Sequence, residues 1–263
     1  MKAILTYHSI DPSGSPISVD VGSFRRHVQW LAGGRVQVVS VDELLALPAD
    51  ADAVALTFDD GFENFGRIAA PMLLEKGLPA TLFVVSDHVG GTNAWGGRAD
   101  SRIPMLPLLD WPALGALAEA GIALGAHSRT HPRLSRLEGA ALEEEVVGCG
   151  ERIRSETGCA PSGFAYPYGD LHPASAALVM RAYDWGCTTE LRALGAGLGV
   201  EVGGEMEVDG GCARARLPRL DAYYLKPEGR LEGWGSPAFR RHLWLRSHAR
   251  SVRVRLTAGL RRL

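Results

Sequence analysis

The chain is poor in cysteine, and its four cysteines, at 149, 159, 187 and 212, include no CxxC pair. That spacing excludes a zinc knuckle and a thioredoxin-type redox motif, and leaves buried thiols as the expectation. Net charge is nearly absent as well: 28 basic and 30 acidic side chains leave a formal charge of -2. Bulk electrostatics therefore draws the molecule neither to nucleic acid nor to anionic lipid, and no nucleic-acid partner is expected. The N-terminus lacks a long apolar run, because "MKAILTYHSI" has only three consecutive apolar residues before Thr6. This is too short for a signal-peptide core or a membrane span, so a cytoplasmic location is expected. No internal repeat is visible. What remains is ordinary globular composition, 46% hydrophobic and 22% charged over 263 residues, enough chain to bury a sizeable core.

Short apolar runs rich in β-branched residues alternate with amphipathic segments up to about residue 190. The runs are 3–7, 36–39, 54–58, 80–85, 122–126, 164–166 and 186–188. Helices are expected at about 21–32, 41–47, 64–76, 111–120, 137–157 and 173–183, with Ser40 and Asp110 as N-caps. Strands alternating with helices imply an α/β fold with a parallel sheet, open or closed into a barrel. In such folds sites collect at the C-terminal ends of strands. The residues there are His8, Asp59 with Asp60, Ser86 with Asp87, His127, and the "PYGD" segment 167–170. Residues 86–110 form a long glycine-rich connection, of the kind that is usually functional, and Trp95 within it is a candidate for stacking on a sugar. Trp111 and Trp185 are weaker candidates, with core packing as their alternative. A hairpin is expected within 206–220.

"LTFDDGF" (56–62) places two carboxylates side by side at the end of a buried strand, and "GAHSRTHPRLS" (125–135) supplies His127 and His131. Pro132 biases His131 away from helical geometry, so a strand-end loop is the expected setting. Alone, the two histidines are as easily packing residues. Joined to the aspartates, they supply the carboxylate and two imidazoles of an open hydrolytic metal site, for zinc, cobalt, nickel or manganese. One aspartate would then bind the ion, leaving the other free to take a proton.

"LTFDDGF", "HSRTH" and "FAYPYGD", in that order, resemble the first three motifs of the polysaccharide deacetylases, the NodB-homology domains of carbohydrate esterase family four. The resemblance covers about residues 3–190. It implies a distorted (β/α) barrel of about seven parallel strands, with a catalytic domain over 1–235. It also implies hydrolysis of N-acetyl groups on an amino-sugar-containing polysaccharide or glycoconjugate. Its alternatives are an O-acetyl esterase acting on a glycan and a non-catalytic glycan-binding protein. Carried over by motif, Asp59 becomes the general base, and Asp60, His127 and His131 the ligands of a divalent metal, zinc first. Tyr168 contributes its backbone N–H to the oxyanion, and Tyr166, Pro167, Trp95 and Asp170 are expected to line the substrate groove.

The chain departs from the family pattern in two places. Ala165 stands where an arginine commonly pairs with the catalytic aspartate, and Arg219 in "LPRLD" is the candidate replacement. No late LxH motif supplies the general acid, and His8, at the end of the first strand, resembles the missing histidine in position. The segment 236–263 is expected to form a basic amphipathic helix. It carries eight arginines from Arg240 to Arg262, and either makes peripheral contact with an anionic membrane or closes the fold with its arginines in solvent.

Overall fold

The structure, a computed structural model, describes residues 1–95, 102–195 and 213–260, with side chains as far as residue 250. Strands and helices alternate as β1 (Lys2–Tyr7), β2 (Ser9–Ile10), β3 (Ser18–Val19), α1 (Val21–Ala32), β4 (Gln37–Val38), α2 (Val41–Ala46), β5 (Ala53–Phe58), α3 (Ala70–Glu75) and β6 (Ala80–Val84). They continue as α4 (Trp111–Glu119), β7 (Ala123–Ala126), α5 (Gly139–Glu143), α6 (Cys149–Thr157), β8 (Gly163–Ala165), α7 (Pro173–Ala182), β9 (Trp185–Cys187), β10 (Leu220–Asp221) and α8 (Pro237–Leu260). One five-residue π turn leads into α3, and another joins α5 to α6.

The main sheet runs β10-β1-β5-β6-β7-β8-β9, parallel throughout, with β4 beside the first half of β5. The segment from Leu217 to Asp221 closes it. Leu217 pairs with Cys187 on one side, while Leu220 and Asp221 pair with Leu5 and Thr6 on the other. The result is a (β/α) barrel. All seven expected strands are present, and the two-residue closing strand, too short to leave a periodic signal, was not anticipated.

Strand parity divides the core. Ile4, Ala53, Ala55, Phe83, Ala165, Trp185 and Cys187 fill the barrel interior. Their sequence neighbours, among them Leu5, Tyr7, Leu56, Phe58, Leu82 and Phe164, pack beneath the helices. Continued by two residues, the inward row of β1 passes from Ile4 through Thr6 to His8, and that of β5 passes through Thr57 to Asp59. Glycine makes room for the interior rings: a Cβ on Gly125 would lie 2.4 Å from Phe83, and one on Gly163 2.2 Å from Trp185. Trp185 is thus core, with Nε1 donating to Asp42 Oδ1 at 2.8 Å.

The expected N-caps form. Asp110 accepts from Ala113 N, and Ser40 builds a capping box with Glu43. Two expectations need correction. From residue 213 onward, the segment expected to be a hairpin makes parallel pairings instead, because its place is between β9 and β1; residues 206–212 lie outside the described residues. Cys149 and Cys187 are buried but Cys159 is exposed, just beyond the left-handed Gly158 that ends α6. Cys212 lies outside the described residues.

Helix α8 packs on the barrel through buried Phe239 and Leu243, and His242 Nε2 donates to the Tyr224 carbonyl at 3.1 Å. Trp244 and Leu245 are exposed. Among the described residues no helix is long and apolar enough to cross a membrane.

Candidate active site

The strand ends converge on a cavity of about 580 Å³, whose lining includes His8, Asp59, Asp60, Trp95, His127, His131, Tyr166, Tyr168 and Arg219. Among the described residues four non-glycine residues have left-handed backbone, Asp60 (φ 75°), Ser128 (64°), His131 (60°) and Tyr168 (61°). All four belong to the segments that build this site. Such conformations cost about 1–3 kcal/mol each and persist only where the surroundings enforce them.

The turn at Asp60 separates the two carboxylates. Asp59 continues the inward row of β5 and is 2% exposed. It takes both arms of the Arg219 fork, Nη1 to Oδ1 at 2.6 Å and Nη2 to Oδ2 at 2.7 Å. Arg219 is itself 1% exposed, and its Nε donates to the Thr188 carbonyl at 3.0 Å. Burial alone would raise the Asp59 pKa, but the Arg219 guanidinium, aided by His8 and His127, outweighs it and holds the carboxyl well below the usual carboxylate range. His8 Nε2 lies 3.6 Å from Asp59 Oδ2. In place of an arginine at position 165, Arg219 is supplied from the segment that closes the barrel, just before β10.

Asp60 faces the histidines instead. His127 Nε2 and His131 Nε2 each lie 3.5 Å from Asp60 Oδ1, too far for a good hydrogen bond. That oxygen is buried without a hydrogen-bond partner. One ligand atom from each residue falls within 4.8 Å of the others. His127 Nδ1 donates to the Ala165 carbonyl at 2.6 Å, which fixes the ring and turns Nε2 toward Asp60. Burial pushes the His131 pKa down to about 3, so this imidazole is neutral. At His127 burial acts in the same direction, but Asp60 and Asp59 overcome it and raise the pKa. An orphaned buried carboxylate oxygen between two ring nitrogens fits a divalent cation.

The loop holding these histidines is clamped from behind. Glu145, in the π turn between α5 and α6, accepts from Arg129 N (2.8 Å), Thr130 N (2.9 Å) and Thr130 Oγ1 (2.6 Å). Arg129 adds ion pairs to Asp87 and Glu144.

An aromatic wall borders the site. Trp95 stacks on His131 with ring centroids 4.6 Å apart, Tyr168 meets the same imidazole edge-on at 4.7 Å, and Arg133 lies over Tyr168. Asn93 pins the stem of the Trp95 loop by bonding the backbone of Pro104 and Leu106. Pro167 and Asp170 stand behind this wall: Pro167 is buried, and Asp170 Oδ2 accepts from the N and Oγ of Ser135. Residues not singled out from the sequence also reach the cavity, among them Thr6, Asp221, Tyr224 and Arg250. Strand parity with His8 would have pointed to Thr6. Arg250 was visible only as one arginine of a basic segment.

One end of the (β/α) barrel thus carries an Asp-His-His cluster beside a second, arginine-held aspartate. A family model described as polysaccharide deacetylase matches residues 46–186, and the chain belongs to that family. It is 26% identical over 193 residues to YxkH of Bacillus subtilis (strain 168), named for the same family, an alignment covering 71% of this chain and 64% of YxkH. It is 27% identical over 142 residues to chitin deacetylase 1 of Cryptococcus neoformans var. grubii, covering 54% of this chain and 26% of that protein. The chain thus spans less than two thirds of either relative. Its fold is similar to that of the Streptococcus pyogenes deacetylase PplD (TM-score 0.65, 20% identity, 83% of this chain and 91% of that one). IcaB from Ammonifex degensii is comparable (TM-score 0.65, 21% identity, 84% and 93%).

Proposed function

We propose that this protein is a metal-dependent deacetylase that hydrolyses the N-acetyl group of an amino sugar within a glycan or glycoconjugate. The observation that carries the reading is the division between the two adjacent aspartates, one facing two imidazoles with an unsatisfied oxygen, the other locked in an arginine fork beside His8.

Asp60, His127 and His131 would hold the ion. Zinc is favoured by the donor set, with cobalt, nickel or manganese as alternatives. When bound, the ion supplies Lewis acidity to the acetyl carbonyl and to the attacking water. Arg219 keeps Asp59 ionised and oriented, so that it can remove a proton as the water oxygen bonds to the acyl carbon. The Tyr168 N–H donates to the carbonyl oxygen on which negative charge collects, a contribution typically worth about two to three orders of magnitude in rate. His8 protonates the leaving nitrogen, the C–N bond breaks, and acetate and a free amine result. Trp95 and Tyr168 offer aromatic surface to the apolar faces of a sugar ring.

The test is to strip the protein with a chelator, reload it with single divalent ions, and offer N-acetylglucosamine oligomers beside an O-acetylated glycan. Loss of acetyl from the amide substrate only after reloading is expected. Cleavage of the ester alone would replace the reading with O-deacetylation, and metal binding without turnover of either substrate would refute catalysis.

A further inference from the structure

The cavity has a second polar wall that the proposed chemistry leaves unused. Thr6, two residues before His8 on β1, is 4% exposed, and its Oγ1 is buried without a hydrogen-bond partner. Its register partner on β10 is Asp221. Asp221 uses Oδ1 to cap the following turn at Tyr223 N (3.0 Å), and its Oδ2 lies 3.8 Å from Arg250 Nη1. Arg250 reaches the cavity from α8. The other lining arginine, Arg219, has its fork filled by Asp59. The approach of Asp221 to Arg250 is too long for a hydrogen bond, so both keep bonding capacity while their charges nearly cancel.

This combination selects its ligand by chemistry. An anionic group would gain from Arg250 and be opposed by Asp221, and a cation would meet the reverse. A neutral group with adjacent hydroxyls can donate to the carboxylate while accepting from the guanidinium and from the threonine. We propose that Thr6, Asp221 and Arg250 form a hydroxyl-recognising subsite for a neutral sugar ring of the substrate, in the same cavity as the aromatic surface of Trp95 and Tyr168. The inference rests on the deacetylase reading for the nature of the substrate. It assigns specificity to a wall built from the first strand, the last strand and the C-terminal helix, all outside the segment matched by the family model.

The experiment reads binding and turnover separately on the full chain, by calorimetric Kd and by steady-state kcat and KM. The probes are the neutral N-acetylglucosamine trimer and the same trimer carrying a 6-phosphate. Thr6→Val, Asp221→Asn and Arg250→Lys should each raise Kd and KM for the neutral trimer about 3–10-fold, with kcat nearly unchanged. Arg250→Lys decides between shape and charge, because it keeps the charge and loses the planar fork. Arg250 is 35% exposed, so this variant carries the test should Thr6→Val fail to fold. The proposal is overturned if Arg250→Lys retains wild-type affinity, if the phosphorylated trimer binds more tightly than the neutral one, or if the wild-type chain binds neither. Hydrolysis of the trimer with KM indifferent to all three changes removes the subsite and leaves the deacetylase reading standing. Binding that depends on these residues without hydrolysis does the opposite.

Discussion

The two neighbouring aspartates have opposite surroundings, and their substitutions should fail in opposite ways. Asp59→Asn should cut turnover by about three orders of magnitude or more while metal content, read by elemental analysis, stays near one ion per chain. Asp60→Asn should lose the ion first, and activity with it. Arg219→Ala leaves Asp59 buried and unpaired, so unfolding by urea should show a loss of about 3–5 kcal/mol. It should also move the acid limb of the kcat/KM profile upward. The sign follows from the interaction: Arg219 holds the Asp59 pKa below the ordinary carboxylate range, so without it the base protonates at higher pH and activity disappears earlier on acidification. An unmoved acid limb would show that Asp59 is not the titrating base. These residues were legible in the sequence because their types are rare at a strand end and come in a fixed order. Arg219 was legible for a different reason: the small residue at position 165 left a charge that needed a partner.

Elements set what single residues cannot. The loop from His127 to His131 takes left-handed turns at Ser128 and His131, and Glu145 bonds its backbone from a neighbouring helix. Glu145→Ala should leave the fold intact yet weaken metal binding about 10–100-fold, as measured by competition with a chromophoric chelator, because it frees the loop without touching a ligand. Gly125→Ala tests the barrel interior, where the added methyl would meet the Phe83 ring; a loss of about 1–3 kcal/mol in denaturant unfolding is expected. Helix and strand positions were readable from apolar periodicity almost throughout. Glu145 was not, since on the sequence it is one of three consecutive glutamates on an amphipathic helix, and only the fold, which brings its π turn against Arg129 and Thr130, selects it.

At the scale of the whole molecule, the C-terminal helix is part of the core through Phe239 and Leu243 and part of the cavity through Arg250. Cutting the chain before Ser236 should lower stability by roughly 1.5–3 kcal/mol for each of the two buried side chains, read as a fall in Tm. If the exposed Trp244 and Leu245 with their flanking arginines also meet a membrane, the full chain alone should sediment with vesicles of anionic lipid. Equal sedimentation of the cut chain would leave the helix a closing element only. Neither the closing strand nor the polar wall was legible in the sequence, because both depend on segments more than two hundred residues apart being brought edge to edge.

The fork that holds Asp59 comes from a segment 160 residues downstream of the aspartate it serves. A nascent chain that has emerged through β9 already contains the candidate metal ligands and the aspartate pair, but it lacks Arg219 to hold Asp59 and the strand that joins β9 to β1. Under the proposed mechanism, hydrolytic competence should therefore arrive abruptly, when residues 217–221 dock and the barrel closes.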